Sequence, residues 1–186
     1  VMTEVVEGCI SFNLEKARHL TVLLDGSDIS PLHLFIGEPE KDAPKPGDPD
    51  VIYFGPGIHE IETLQIKSGQ TVYIAGGAIV KGVLRPGETG TYNEKWKVTF
   101  FSGVILPVVD VENVCIRGRG ILDGSQIPHP GRNMIYMRGA RNISLEGITL
   151  RDAPNWNVLI GTSQKVKVDN LRIISGRLNS DGINSV

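Results

Sequence analysis

The chain has 186 residues, 40% of them hydrophobic, with 22 Gly and 11 Pro and a net charge of −2 from 19 basic and 21 acidic side chains. That apolar content builds a real core, and the Gly and Pro content suits a fold that turns often. The near-neutral balance, with no long basic tract, argues against nucleic acid as the main partner. No apolar run approaches the roughly 20 residues that span a bilayer as a helix.

Residues 1–44 read as a small antiparallel, β-sandwich-like unit. The runs Ile10–Leu14, Leu20–Leu24 and Leu32–Ile36 alternate or stay apolar for about five residues, and Asp25-Gly26 and Gly37 with Pro39 mark turns between them. Residues 45–50 form the linker; with Pro44, three prolines in six residues exclude regular pairing and stiffen the join.

From residue 51 to 186 the texture changes to short strands separated by polar corners. Val51–Phe54 runs into the turn Gly55-Pro56-Gly57, and Val72–Ile74 and Ala78–Val80 flank Gly76-Gly77. A strand, a corner and a second strand then recur three times. They start at Val114, at Ile143 and at Val166, intervals of 29 and 23 residues. Period-two alternation places the apolar members of each run on one face. A repeat in the twenties with no helical segment predicts the coils of a parallel β-helix, and the leucine-rich-repeat frame is absent. Residues 85–103 and Ser125–Arg132 break the spacing and read as loops, which in solenoids gather on one face.

Cys9 and Cys115 lie in different units and suggest no disulfide framework, and the four histidines (19, 33, 59 and 129) have no ligand-like spacing. Neither a metal nor an organic cofactor is expected. Asn142-Ile143-Ser144 matches a glycosylation sequon but lies at a strand start, and the match reads as coincidental.

Asp181 in Asn179-Ser180-Asp181-Gly182 is the carboxylate best placed for chemistry, at a strand edge beside Asn and Gly. Trp156 offers an apolar ring for a sugar face, and Asn157 and Asn179 offer amides for hydroxyls. Asp123 reads as a turn residue. Arg117, Arg119, Arg138 and Arg151 read as solvated corner charges, with contact to an anionic uronate as the competing role.

Three segments carry a family resemblance. Ile116–Gly124 resembles the Gly-x-Gly-x-Ile-Asp-Gly signature of glycoside hydrolase family 28, the polygalacturonases and rhamnogalacturonan hydrolases. Asp152–Asn157 resembles its Ser-Pro-x-Trp segment, and Asn179–Gly182 its Asn-Thr-Asp-Gly motif. The leading β unit is similar to that of family members with an N-terminal β-sandwich, and to the related family 49 dextranases. The resemblance implies a right-handed parallel β-helix and hydrolysis of a pectin-like polysaccharide with inversion, Asp181 helping to activate water. It also implies an extracellular or periplasmic location. The family's Asp-Asp, Gly-His-Gly and Arg-x-Lys elements do not occur in this sequence. The chain is therefore expected to lack the C-terminal coils, to carry part of the active site, to be inactive alone, and to self-associate through the open end of the solenoid. A non-catalytic carbohydrate-binding module and a purely structural solenoid are the alternatives.

Overall fold

A computed structural model of the protein describes residues 3–23, 26 and 31–186. The chain divides into two compact units, Val1–Asp42 and Ala43–Val186. In the first, β1 (Thr3–Val6) pairs antiparallel with β2 (Cys9–Phe12), and β3 (Arg18–Val22) pairs antiparallel with β4 (Leu32–Ile36). Glu7 and Gly8, with φ of 50° and 79°, make the two-residue turn that matches hairpin twist. The sequence reading had no strand before Ile10, because an alternating pattern is hard to see in four residues. Its strand from Leu20 and its turn at Asp25-Gly26 fall partly outside the described residues. Among the described residues of this unit none is fully buried.

The second unit opens with a turn in which Lys45 N donates to Asp48 Oδ2 at 2.7 Å. Strands β5 (Val51–Phe54) and β6 (Gly57–Ile61) form the first coil. The second has β7 (Thr71–Ile74) and β8 (Ala78–Gly82), then an antiparallel hairpin of β9 (Thr91–Asn93) and β10 (Val98–Phe100), then β11 (Val104–Val109). The third has β12 (Glu112–Gly118), β13 (Ile121–Asp123) and β14 (Asn133–Arg138). The fourth has β15 (Arg141–Glu146), β16 (Thr149–Arg151) and β17 (Val158–Gly161). The fifth has β18 (Gln164–Asp169), β19 (Arg172–Ile174) and β20 (Ile183–Ser185). No helix occurs among the described residues.

Three parallel sheets result, β5-β7-β12-β15-β18, β6-β8-β13-β16-β19 and β11-β14-β17-β20. The parallel β-helix read from the repeats is thus the architecture. The third sheet was not visible as a sheet in the sequence; one of its strands, β14, follows directly on the loop read at Ser125–Arg132. The expected loop at residues 85–103 carries the β9–β10 hairpin.

Register explains the core. Ile52, Val72, Ile116, Leu145 and Val168 stack in one column, and Val80, Leu122, Leu150 and Ile173 in a second. Leu106, Ile135, Val158 and Ile183 form a third. Val72, Ile116, Leu122, Ile135, Leu145 and Leu150 are buried completely. Because strands stack about 4.8 Å apart, each apolar side chain meets its equivalent from the neighbouring coil.

The corners use residues that tolerate left-handed backbone. Asn113, Asn142 and Lys165 have φ of 57°, 56° and 54° and each precedes an in-register core residue, Val114, Ile143 or Val166. Asn142 Nδ2 donates to Asn113 Oδ1 at 2.7 Å, so the sequon asparagine serves as a rung between coils. Gly118, at φ 135°, packs so closely that a Cβ would run into the Ile74 carbonyl.

Truncating a column should cost far more than truncating an outward neighbour. Leu145→Ala is expected to lower stability by about 2–5 kcal/mol, and Ser144→Ala by less than about 0.5 kcal/mol. Urea unfolding of both variants checks this.

Candidate functional site

The segment before β20 is held from two sides. The Arg177 guanidinium donates to the carbonyls of Ile127 (2.7 Å), Ser125 (2.8 Å) and Gly124 (3.4 Å), tying it to the loop after β13. Ser180 Oγ closes the turn by donating to the Arg177 carbonyl at 2.6 Å. From below, Asn157 is 0% exposed. Its Nδ2 donates to the carbonyls of Ser180 (3.0 Å) and Asp181 (3.1 Å), and its backbone N–H also donates to the Asp181 carbonyl (3.1 Å). The backbone of Asp181 is therefore fixed while its side chain is exposed. Asn179 takes a left-handed φ of 53°, which asparagine accommodates at low cost.

Beside this segment lies a groove of about 520 Å³, lined by Trp96, Val98, Phe100, His129, Pro130, Asn155, Leu178 and Asn179. Trp96 and Phe100, from the β9–β10 hairpin, pack with ring centroids 5.6 Å apart. Trp96 is 60% exposed and Leu178 77%. His129 Nδ1 lies 3.0 Å from the Pro154 carbonyl, which assigns the proton to Nδ1 and leaves Nε2 as an acceptor in the neutral ring. Asn155 Nδ2 donates to Asn133 Oδ1 at 3.0 Å.

The structure thus brings Asn179 into the groove and sets Asp181 two residues beyond it. Asn157 lies beneath the segment, committed to backbone carbonyls, where it positions Asp181. Trp156 is half-buried and not part of the groove lining. Sequence reasoning missed Trp96, His129 and Leu178. The first two stand in loops whose course depends on other coils. The available signals were a lone aromatic, Trp96, within the polar run Glu94–Lys97 and an apolar Leu178 between Arg177 and Asn179.

Asp123, completely buried, is a structural partner. Arg151 Nη2 donates to its Oδ2 at 2.6 Å, and Ser125 N donates to its Oδ1 at 2.9 Å. Burial by itself would raise this carboxyl, but the bonds from Arg151 and Ser125 outweigh it and hold Asp123 below the usual carboxylate range. Arg151, weighed at the sequence level as a corner charge, is therefore engaged in a pair. A second pair fixes the base of the hairpin. Arg132 is buried, with Nη2 2.6 Å from Glu88 Oε2 and Nη1 2.6 Å from the Glu62 carbonyl. Among the described residues no group of three or more His, Cys, Asp or Glu side chains is arranged to hold a metal ion. Among the described residues no helix is long and apolar enough to cross a membrane.

No protein-family profile matches the chain, and no curated protein matches it. Solved structures do. A "putative glycosyl hydrolase" from Parabacteroides merdae aligns with TM-score 0.53 and 22% identity, covering 73% of this chain and 63% of that one. The family 28 exopolygalacturonase of Yersinia enterocolitica aligns with TM-score 0.55 and 15% identity, covering 95% of this chain and 48% of that one. The chain therefore spans less than two thirds of the length of either. At these identities the likeness defines the fold: a right-handed parallel β-helix of about five coils.

The Asp123–Arg151 pair has a definite sign with pH. A carboxyl whose folded value is lowered contributes stability above its unfolded value, and that contribution is lost as pH falls through the lowered folded value. Arg151→Met leaves Asp123 buried without its cation and is expected to cost about 3–5 kcal/mol at pH 7. The deficit should shrink when denaturation is repeated in acid. Asp123→Asn, which leaves only the half-exposed Arg151 unpaired, should cost less.

Proposed function

We propose that the protein is a glycoside hydrolase acting on a pectin-like polysaccharide, of the polygalacturonase type, with inversion at the anomeric carbon. The observation that carries this reading is the Asn179–Gly182 segment. Buried Asn157 and half-buried Arg177 immobilise it, so that Asp181 presents an exposed carboxylate two residues along the chain from Asn179 of the groove lining. The fold shared with the two neighbouring structures and the ordered motif resemblance support it. Inversion requires one carboxylic acid to protonate the leaving oxygen and one carboxylate to activate water, roughly 6.5–9.5 Å apart. Asp181 takes the water-activating role. Preorganisation is what Asn157 supplies, since a carboxylate on a loose turn would lose the alignment on which proton abstraction depends. The family resemblance extends the reading to an extracellular or periplasmic enzyme.

One observation favours a second reading, carbohydrate binding without hydrolysis. Among the described residues that line the groove there is no carboxylate, so neither member of the pair is in the lining.

The test is reducing-end release from polygalacturonate and rhamnogalacturonan, with proton NMR of the first products. Hydrolysis giving the inverted anomer, reduced about 100- to 10,000-fold by Asp181→Asn, is the expected result. Retained configuration overturns the mechanism. Polysaccharide binding with no turnover by the full-length protein leaves the second reading in place.

A further inference from the structure

The groove has an unusual charge character for a site facing an acidic polymer. Among the described residues its lining holds no Asp, Glu, Lys or Arg, and His129 is its one titratable side chain. Recognition of a uronate calls for a guanidinium or ammonium aimed at the carboxylate, most effectively a bidentate arginine. Four arginines of the coils and their loops are already engaged. Arg132 is bound to Glu88 and Arg85 to Glu62 (3.3 Å), while Arg177 is spent on three backbone carbonyls and Arg151 on Asp123. Lys95 lies with Nζ 5.7 Å from the Trp96 ring centroid, against the indole, and is not in the lining.

What the lining does present is apolar ring area from Trp96 and Phe100, the exposed Leu178, and hydrogen-bonding groups from Asn155, Asn179 and His129 Nε2. A neutral pyranose offers the complement: an apolar C–H face for the ring and hydroxyls that both donate and accept. Placing a carboxylate against this surface would take it from water with no cation in the lining to replace its hydration, which is costly.

We propose that this groove is a subsite for an uncharged sugar residue, with Trp96 as its stacking platform and the β9–β10 hairpin as the element that sets sugar preference. The proposal rests on the reading of the protein as polysaccharide-active and narrows it. The backbone being cleaved must carry, or be branched with, neutral sugars that reach this position.

Isothermal titration with neutral oligosaccharides (galacto-, arabino- and gluco-tetraoses) and with tetragalacturonate, each at 20 and 500 mM NaCl, tests it. A neutral tetraose should bind with a Kd that salt leaves unchanged. Trp96→Ala, at an exposed hairpin position, should weaken that binding about tenfold or more with an unaltered melting temperature. Leu178→Arg should shift preference toward tetragalacturonate. Preferential binding of tetragalacturonate by the unaltered protein, weakened by salt and indifferent to Trp96→Ala, overturns the subsite while leaving the polysaccharide-active reading intact. Binding of no oligosaccharide of either charge overturns both.

Discussion

In-register stacking of parallel strands is the constraint from which the rest of this structure follows. Each coil must return the chain to the same three positions, because a shift of one residue would turn every apolar side chain of that strand outward. Columns such as Ile116–Leu145–Val168 satisfy that condition coil after coil. Variation is thereby expelled into the connections between strands, where length is unconstrained so long as the next strand re-enters in register. The β9–β10 hairpin and the Ser125–Arg132 loop both use that freedom, and both contribute residues to the groove.

Loops that long would not by themselves hold a site. Here the task falls to buried or half-buried side chains that act as internal ties. Arg132 joins Glu88 to the first coil through the Glu62 carbonyl, and Arg177 reaches across to Gly124, Ser125 and Ile127. Asn157 fastens the backbone at Ser180 and Asp181. A guanidinium suits this use because its several fixed donors satisfy several loop carbonyls at once. Of the arginines weighed as ligands for an anionic sugar, Arg151 serves architecture through its pair with Asp123.

The repeats foretold much of the fold. The 29- and 23-residue intervals reappear as the spacing of Val114, Ile143 and Val166 along one core column, and the corner asparagines Asn113 and Asn142 sit where left-handed backbone is needed. The site was only partly legible. Asp181 and Asn179 stood out because carboxylate, amide and glycine cluster in four residues. Asn157 was noticed for the wrong reason: its amide is directed inward at carbonyls, not outward at a ligand. Trp96 and His129 gave no periodic signal at all.

What the sequence alone determined is the solenoid, because alternation with period two and a repeat length near one coil are local properties of the chain. Tertiary structure decided the groove, the roles of Arg132, Arg151 and Arg177 and the burial of Asn157. These depend on which residues 22 to 83 positions apart, such as Asn133 with Asn155 and Trp96 with Asn179, come together when the coils stack. That juxtaposition is set by accumulated register over several coils, and no local pattern encodes it.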